Sequence, residues 1–384
     1  MSRVEVPTPA DFEVIDPLLC QAFDIPGEAW TRFRTRVPAA DFRVLRDGPS
    51  IRGALGLYRF AQYFGGRSVP SAGVAVVGVP PEHRGTGAGT ALMAGTLEGL
   101  RREGIALSSL YPATRRPYRR VGYECAGTRV DWSLPVAAIG LHERELPAVA
   151  VSAAAHTRFH TMYRHWAAAG NGLADRSHTL WERVVNPIDH PAYAYVLGDD
   201  EGYLVFYQAD APAPFAFDLV VRDMVTLTPA ALRRAWTLLA DHQSIAGRVR
   251  WVGSATDPRL LALPEVGGTA DWIEQWMLRI VHLPNALLTR GYGSDGRLDL
   301  EVMDAVLPDN AGRWRLEVTD GVAALAAGGS GTVRCDVRGL AALYSGFVSA
   351  ERGALLGLVE GEASALRGAT ALFAGSECWL ADRF

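Results

Sequence analysis

The feature of this sequence that most restricts its fold is a short apolar strand that leads through a glycine-rich turn into an amphipathic helix. The run Val74–Val79 is apolar on both faces, which predicts a buried central strand. The helix after the turn has apolar residues at helical spacing, at Leu92, Met93, Leu97 and Leu100. We expect this helix to end near Arg102, because Gly104 follows. This pattern predicts mixed helix and strand for the first part of the chain.

The turn itself reads R-x-x-G-x-G, from Arg84 to Gly89. Glycines allow a ligand to approach the backbone closely, and the N–H groups at a helix start attract an anion. With Arg84 adding positive charge, a pyrophosphate could be held there without a metal. The spacing is not the G-x-G-x-x-G of a Rossmann dinucleotide site. Taken alone, the string is equally compatible with a purely structural turn.

Composition excludes several functional classes. The 384 residues suggest two or three domains. With 38 basic and 42 acidic residues the net charge is −4, which argues against general nucleic-acid binding. All 38 basic residues are arginine. The absence of lysine excludes Schiff-base chemistry and a Walker-type phosphate lysine.

The cysteines and the apolar runs indicate the compartment. The four cysteines are scattered without a C-x-x-C pair, which excludes a disulfide scaffold and a zinc ribbon: Cys20, Cys125, Cys335 and Cys378. The start Met1–Glu5 lacks the apolar core of a signal peptide, and no run approaches the roughly 20 apolar residues that span a bilayer. We therefore expect a cytoplasmic protein without membrane insertion.

The order of predicted elements divides the chain into three α+β domains. Residues 1–140 contain the strand, turn and helix described above. Residues 141–282 repeat a similar order of elements, and residues 283–384 follow a different pattern. In the second segment, the turn Thr226–Ala231 has no glycine and no arginine, and Pro229 has no N–H to offer a phosphate. We expect no cofactor site there, and one active site per chain.

A second motif follows the first by about thirty residues, where the segment Tyr111–Tyr123 ends in Y-x-x-x-G-Y. The two motifs at this separation resemble the GCN5-related N-acetyltransferases (GNATs). The whole chain resembles the enhanced intracellular survival (Eis) type, which implies tandem GNAT folds, the second degenerate, and a sterol-carrier-protein-like α/β domain. The wider resemblance is carried by Ser177–Val185, Trp276–Val281, Pro284–Leu287, Arg290–Tyr292 and the terminal Phe384.

The resemblance implies acetyl-CoA as co-substrate, and no metal. Backbone groups of Val77 and Val79 would pair with the pantetheine arm, and the Val79 N–H would polarise the thioester carbonyl. The turn would hold the pyrophosphate through Arg84, Gly85, Thr86, Gly87, Ala88, Gly89 and Thr90.

Two catalytic residues follow from the same resemblance. Tyr118 would be the general acid for the leaving thiolate, and the α-carboxylate of Phe384 the base for the amine. An α-carboxylate has a pKa of only about 3.5, so it is a weak base unless it is desolvated or acts through water. The alternatives are a partly buried core tyrosine and a docked hydrophobic terminus.

The resemblance also implies a position for the acceptor pocket, because related enzymes build it in the helical region that precedes the core. Its candidate residues are Phe23, Asp24 and Trp30, with plain core packing as the alternative. The penultimate Arg383, beside Asp382, departs from the carboxylate-lined pockets of relatives that acetylate aminoglycosides. The amine acceptor therefore stays open between an aminoglycoside-like or other small amine and a protein lysine or metabolite.

Two further clusters can be explained without a functional role. The cluster His156, His160 and His165 has no carboxylate in an H-E-x-x-H pattern, so we expect a solvated helix face and no metal. The four arginines beside Tyr118 are expected either to bind the 3′-phosphate of the cofactor or to form an exposed patch: Arg115, Arg116, Arg119 and Arg120.

The function predicted from these residues is direct acetyl transfer from acetyl-CoA to an amine in a ternary complex. The third domain would position the C-terminus, and the resemblance implies a homo-oligomer, a hexamer. The alternative is a non-catalytic lipid- or partner-binding protein on the same scaffold, against which the intact turn argues.

Overall fold

The computed structural model describes residues 2–187, 190–211, 216–265 and 267–384, and it divides into two compact units. Unit 1 comprises Met1–Gly127, Gln275–Cys378 and Arg383–Phe384. Unit 2 comprises Thr128–Glu274 and Trp379–Asp382. The third sequence segment therefore shares a compact unit with the first, and its boundaries as a separate domain stay a prediction.

The first part of the chain alternates strands and helices as predicted. Its helices are α1 Phe12–Phe23, α2 Gly27–Arg36, α3 Ala88–Arg102 and α4 Arg115–Arg120. Its strands are β1 Arg3–Glu5, β2 Phe42–Asp47, β3 Ser50–Phe64, β4 Arg67–Gly78, β5 Leu107–Leu110 and β6 Glu124–Pro135. Helix α3 ends at the predicted residue and buries its four predicted apolar side chains. The long strand β6 was not predicted from the sequence.

The middle part of the chain supplies most of unit 2. Its strands are β7 Ala148–Val151, β8 Ala174–Asp175, β9 Tyr193–Leu197, β10 Gly202–Asp210, β11 Phe217–Thr226, β12 Ala246–Gly253 and β13 Thr269–Ile280. Its helices are α5 Thr157–Ala168, α6 His178–Val185 and α7 Pro229–Ala240. Trp236 of α7 and Trp251 of β12 pack edge to face in the core of this unit, with ring centroids 5.3 Å apart.

The last part of the chain builds a separate sheet in unit 1. Its strands are β14 Gly296–Met303, β15 Gly312–Thr319, β16 Val322–Ala327, β17 Val333–Asp336 and β18 Val359–Gly361, in the sheet order β16-β15-β14-β17-β18. Its helices are α8 Leu283–Thr289, α9 Val337–Tyr344, α10 Ala350–Leu355 and α11 Ala363–Phe373. Strand β16 reads VAALAA, and its largely exposed alanines explain why the sequence pattern did not predict it.

The first sheet of unit 1 positions the candidate site. Strands β1 to β4 pair antiparallel in chain order, and β4 then pairs in parallel with β5. The end of β13, Met277–Ile280, pairs antiparallel with the other side of β5. Helix α3 covers this sheet with the predicted leucines. No helix within the described residues is long and apolar enough to cross a membrane.

Candidate functional site

Strand β4 has an open edge over its last five residues. Its parallel pairing with β5 ends at Gly73, opposite Ser109, although β4 continues to Gly78. On its other side, the register with β3 shifts so that Val76 and Val77 oppose one residue, which is a β-bulge. Val76 has a φ of 47°, rare for a β-branched residue. The bulge and the diverging strands leave backbone groups of β4 available for an extended ligand.

The glycine-rich turn leads from this edge into α3. Gly87 is the N-cap residue with a φ of 87°, and no side chain caps the helix. A Cβ at Gly87 would meet nothing within 4 Å, so glycine is favoured here by backbone conformation and not by crowding. Arg84 is held against the strand, because its Nε donates to the Val79 carbonyl at 3.2 Å. The first amides of α3 thus open onto an exposed turn, as an anion site requires.

Tyr118 lies on the short helix α4, half-buried against the core of unit 1. Its ring meets that of Tyr123 edge to face, with centroids 6.2 Å apart. Its hydroxyl has no hydrogen-bond partner within the described residues. Burial raises the pKa of Tyr118 above its usual value, so the phenol stays protonated at neutral pH.

The other two residues of the Y-x-x-x-G-Y motif hold α4 in place. Gly122 has a φ of 89°, and a Cβ there would lie 2.7 Å from Nε of Arg279. The Tyr123 backbone N–H donates to the Tyr118 carbonyl at 3.1 Å. The Tyr123 hydroxyl is buried and lies 2.7 Å from Oγ of Ser108 on β5. Only Tyr118 of this motif therefore offers a free hydroxyl; Tyr123 is structural.

A buried carboxylate, Glu124, fixes the far side of α4. Arg119 donates to its Oε1 at 2.7 Å, and Arg338 of α9 donates to its Oε2 at 2.7 Å. Burial opposes ionisation of Glu124, but the two arginines outweigh it and hold its pKa below the usual range. This pair of ion pairs joins α4 to the third sequence segment, and sequence reasoning had no signal for it.

The predicted arginine cluster forms one open recess of about 500 Å³, lined by Arg115, Arg116, Arg119, Arg120 and Arg338. Two members are bound to Glu124, and Arg115 donates to Gln275 at 2.6 Å. Arg116 and Arg120 are exposed. The recess is a concentration of positive charge next to Tyr118, and both predicted interpretations of it stay open.

The C-terminal Phe384 is seated at the point where β4 and β5 part. A Cβ on Gly73 would lie 2.5 Å from the Phe384 ring, so only glycine leaves room for that ring. Three aromatic rings surround Phe384, with centroids 5.2 to 5.9 Å away: Tyr58, Phe60 and Tyr111. The chain end is therefore docked at the origin of the open edge. Tyr118 and Phe384 share unit 1 but make no ring contact within the described residues.

The predicted acceptor residues lie in different settings. Trp30 is buried and stacks on Phe33, which meets Tyr58 edge to face, and Tyr58 contacts Phe384. Phe23 is 43% exposed at the end of α1. Asp24 follows it as an exposed left-handed C-cap residue with a φ of 51°. An aromatic path thus links Trp30 to Phe384, and the pocket role of all three stays a prediction.

The near-terminal acid Asp382 is not available to a substrate. In unit 2 it is buried and accepts from Nε of Arg176 at 3.0 Å. Arg176 also donates to Asp223, and the hydroxyl of Tyr203 donates to the same carboxylate at 2.6 Å. The backbone N–H of Leu380 donates to the Thr128 carbonyl. The tail residues of this unit are therefore anchored by a buried ion-pair network.

The turn of unit 2 contrasts with that of unit 1. The Thr228 hydroxyl caps α7 by accepting from the Ala231 N–H at 3.1 Å, and it donates to Glu201 at 2.6 Å. Pro229 occupies the first helical position. Pro229 thus has no N–H to offer an anion, and the Ala231 N–H is bound by the Thr228 hydroxyl. The absence of a cofactor site in this unit stays a prediction.

The histidine cluster is not the solvated face that we predicted. His156 is 8% exposed, and His160 is half-buried. Both rings stack on Trp181 of α6, with centroids 5.9 and 4.4 Å away. Only His165 is exposed as expected. The sequence pattern of α5 could not reveal this, because the covering ring comes from another helix.

Sequence reasoning missed the aromatic residues that hold the chain end. Tyr58 and Phe60 are spaced i, i+2 and therefore lie on one face of β3, a signal that was available. Nothing in the sequence indicated that this face would meet the C-terminus. Gly73 was also missed, since its importance comes only from the ring packed against it.

Known protein families match three successive parts of the chain. An acetyltransferase (GNAT) domain model matches residues 4–126, a second matches 172–280, and a sterol carrier protein domain model matches 283–381. The predicted fold class, α+β with tandem GNAT folds and a sterol-carrier-protein-like domain, is confirmed.

Individual relatives are similar over much or all of the chain. An uncharacterized N-acetyltransferase from Streptomyces griseus is 30% identical over 289 residues, which covers 67% of this chain and 68% of that protein. A GCN5-related N-acetyltransferase from Anabaena variabilis matches with a TM-score of 0.96 at 34% identity over 100% of both chains. Eis1 from Mycobacterium abscessus has a TM-score of 0.84 at 22% identity, also over 100% of both chains, and so shares the fold.

Proposed function

This chain is a member of the GCN5-related N-acetyltransferase family, and we propose that it transfers the acetyl group of acetyl-CoA directly to an amine within a ternary complex. The family implies acetyl-CoA as the co-substrate. The single observation that carries the proposal is the placement of Phe384. Its ring lies against Gly73, where β4 and β5 part and the open edge of β4 begins.

The residues of unit 1 fit the cofactor. The bulged edge of β4 offers backbone groups of Val77 and the Val79 N–H to the amides of an extended pantetheine arm. The amides of Gly87 to Thr90 and the dipole of α3 favour a pyrophosphate, and Arg84 adds a positive charge close by. Thr86 shapes the turn, because its hydroxyl donates to the His83 carbonyl at 2.7 Å.

In the transfer step, the amine nitrogen forms a bond to the thioester carbon, and the carbon–sulfur bond breaks. The backbone N–H of Val79 stabilises the oxyanion formed in between. The amine must lose one proton, which the α-carboxylate of Phe384 accepts directly or through water. The departing thiolate gains one proton from Tyr118. Acetyl-CoA supplies the activated acyl group, and the protein supplies position and proton transfer.

Burial suits Tyr118 to the role of proton donor. Its raised pKa keeps the phenol protonated, whereas a thiol has an ordinary pKa near about 8.5. Transfer from the phenol to a free thiolate in water would be unfavourable. The proton therefore moves as negative charge builds up on the sulfur during carbon–sulfur cleavage, and the transfer is driven by the return of a proton from solvent to Tyr118, which the raised pKa favours.

The acceptor class is proposed as an aminoglycoside-like or other small amine, with a protein lysine or metabolite as the alternative. Asp382 cannot attract a polycation, because Arg176 binds it. Asp24 and Glu28 are exposed near the aromatic path and remain as candidates. An acceptor screen separates the classes, since a protein acetylase should leave aminoglycosides unmodified.

Two further properties belong to this proposal. The three domains would span residues 1–140, 141–282 and 283–384, the last carrying the C-terminal carboxylate to the site. The chain would assemble as a hexamer, which light scattering on the purified protein tests directly. A non-catalytic lipid- or partner-binding role is the competing function, and the exposed, uncapped turn at α3 argues against it.

Calorimetry of acetyl-CoA binding tests the proposal. The wild type should bind in the micromolar range, and Gly87→Glu should weaken binding by at least about 100-fold, because a side chain strains this turn and its charge repels a phosphate. Gly99→Glu is the matched control, since its Cβ also meets nothing within 4 Å but lies later in α3. Absence of binding by the wild type would end the enzymatic proposal.

A further inference from the structure

A cluster of metal-ligating side chains lies in unit 2, and none of its members is among the residues assigned above to the cofactor or to catalysis. His156 immediately precedes α5, and His178 and Glu182 lie one turn apart on α6. One ligand atom from each of these three residues lies within 4.8 Å of the others. His156 is buried, Glu182 is half-buried, and His178 is exposed. The cluster is therefore open to solvent on one side.

The hydrogen bonding of His156 leaves a gap that a cation would fill. Its Nδ1 lies 3.0 Å from Nε2 of His160, so one hydrogen bond joins the two rings. In the tautomer that donates its Nδ1 proton to that bond, Nε2 of His156 keeps its lone pair, and this atom lies 3.7 Å from Oε1 of Glu182. That separation is too long for a hydrogen bond. It is close to the roughly 3.3 Å between neighbouring ligands of a tetrahedral ion with bonds of about 2.0–2.1 Å.

The surroundings restrain the ligands as a metal site requires. His160 takes the place of the outer partner that fixes the tautomer of a metal-bound histidine. Trp181 stacks on both His156 and His160 and limits rotation of their rings. The neighbouring cation Arg176 is bound by Asp223 and Asp382, which leaves the Glu182 carboxylate for other partners.

We propose that His156, His178 and Glu182 bind one Zn²⁺ ion, with water as the fourth ligand. Two imidazoles and a carboxylate are a donor set typical of zinc. The ion would link the residue before α5 to one face of α6. The sequence analysis predicted no metal at this histidine cluster, because the carboxylate and the third ligand come from a different helix and not from an H-E-x-x-H motif.

The test is metal titration of the full chain, with any affinity tag removed and the protein depleted of metal by a chelator. Co²⁺ should bind at one ion per chain and produce the intense visible bands of a four-coordinate site, and Zn²⁺ should abolish those bands. Because Zn²⁺ binds only the folded site, it should also raise the Tm. Both readouts are independent of acetyl transfer.

Variants identify the site. Glu182→Gln and His178→Ala should each weaken Zn²⁺ binding by at least about tenfold. Neither side chain is fully buried, so both variants should fold, and their circular dichroism and metal-free Tm should match the wild type. His165→Ala is the matched control, an exposed histidine of α5 outside the cluster.

Two results would overturn the proposal. Absence of stoichiometric Co²⁺ or Zn²⁺ binding by the wild type would show that the three side chains lie close together without binding an ion. Binding that survives unchanged in both Glu182→Gln and His178→Ala would place the ion elsewhere. If one variant failed to fold, the other variant and the wild-type stoichiometry would still decide.

Discussion

The starts of helices α3 and α7 differ in what satisfies their first amides. In unit 1, α3 begins at Ala88 after the N-cap residue Gly87, with no side-chain cap and with an exposed turn before it. In unit 2, α7 begins at Pro229, and the Thr228 hydroxyl accepts from the Ala231 N–H. A helix start that is already capped gains nothing from a phosphate, whereas an uncapped one does. The family's domain is thus matched twice, and of these two helix starts only that of α3 lacks a side-chain cap.

Because of this difference, we expect substitutions in the two units to have different effects. Changes around α3, α4 and β4 should alter binding or turnover of acetyl-CoA with little effect on folding. A change at the start of α7 should alter stability alone. The predictions that follow run from the largest expected effect to the smallest.

Replacing the proposed proton donor should have the largest effect. Tyr118→Phe should lower kcat by roughly 10²-fold while acetyl-CoA affinity is kept, because only the hydroxyl is lost. Steady-state kinetics and calorimetry measure the two quantities. Tyr123→Phe is the control, since the Tyr123 hydroxyl is bound to Ser108. Turnover that does not change in Tyr118→Phe removes this residue from the mechanism.

The dependence of kcat on pH is a second test of Tyr118 as the proton donor. Since burial raises the pKa of Tyr118, the donor should stay protonated up to its ordinary pKa of about 10 and beyond it. Loss of kcat through Tyr118 should therefore occur only above about pH 10. An alkaline fall below about pH 9 that disappears in Tyr118→Phe would contradict the raised pKa.

Displacing the chain end should have a smaller effect. In Gly73→Val the added side chain occupies the space of the Phe384 ring, and we expect kcat to fall roughly tenfold as the carboxylate is misplaced. Acetyl-CoA affinity should change little. One residue added after Phe384 should act in the same direction, and Gly99→Ala serves as a neutral glycine control. Full activity in both altered chains would exclude the terminal carboxylate as the base.

The arginine recess should contribute less, because its free members are exposed. If it binds the 3′-phosphate, Arg116→Ala combined with Arg120→Ala should weaken CoA binding about fivefold, at about 0.5 kcal/mol per pair. Binding of dephospho-CoA should not change. If the affinities for CoA and for dephospho-CoA fell equally, or if neither fell, the recess would be an exposed patch and not the site of the 3′-phosphate.

The smallest change belongs to unit 2. Thr228→Ala removes the cap of α7 and should lower the free energy of unfolding by about 1 kcal/mol, measured by denaturant titration. Thr228→Ser keeps the hydroxyl and should restore stability. Acetyl-CoA binding should be unchanged in both variants. A loss of cofactor affinity in Thr228→Ala would mean that the two helix starts are not as independent as their capping indicates.

The accuracy of the sequence predictions depended on how local the signal was. The strand, turn and helix from Val74 to Arg102 were predicted closely. The spacing of apolar residues and the positions of glycines determine the structure of a single element, so they can be read from neighbouring residues. Two of the strands that were missed have weak patterns, since β13 begins exposed and β16 is alanine-rich. The fold class was implied by the resemblance of the whole chain to the Eis type, and two motifs in the first domain carry the strongest part of that resemblance.

The sequence by itself determined the backbone conformation of the glycine-rich turn and of the end of α4, and the amides that the turn presents. Gly87 and Gly122 have positive φ values that glycine adopts without strain, and the helix after the turn supplies its amides wherever it lies. Such features depend on residues a few positions apart. They are therefore visible before the chain is folded.

Tertiary structure alone decided which distant residues meet. Phe384 contacts Gly73, Glu124 binds Arg338, and His156 approaches Glu182. Side chains so far apart along the chain meet only when whole elements pack, and packing depends on the shape of many residues at once. For this reason the sequence analysis could name Asp382 and the histidine cluster but not the residues that contact them. Those contacts changed the interpretation of Asp382 and of the histidine cluster.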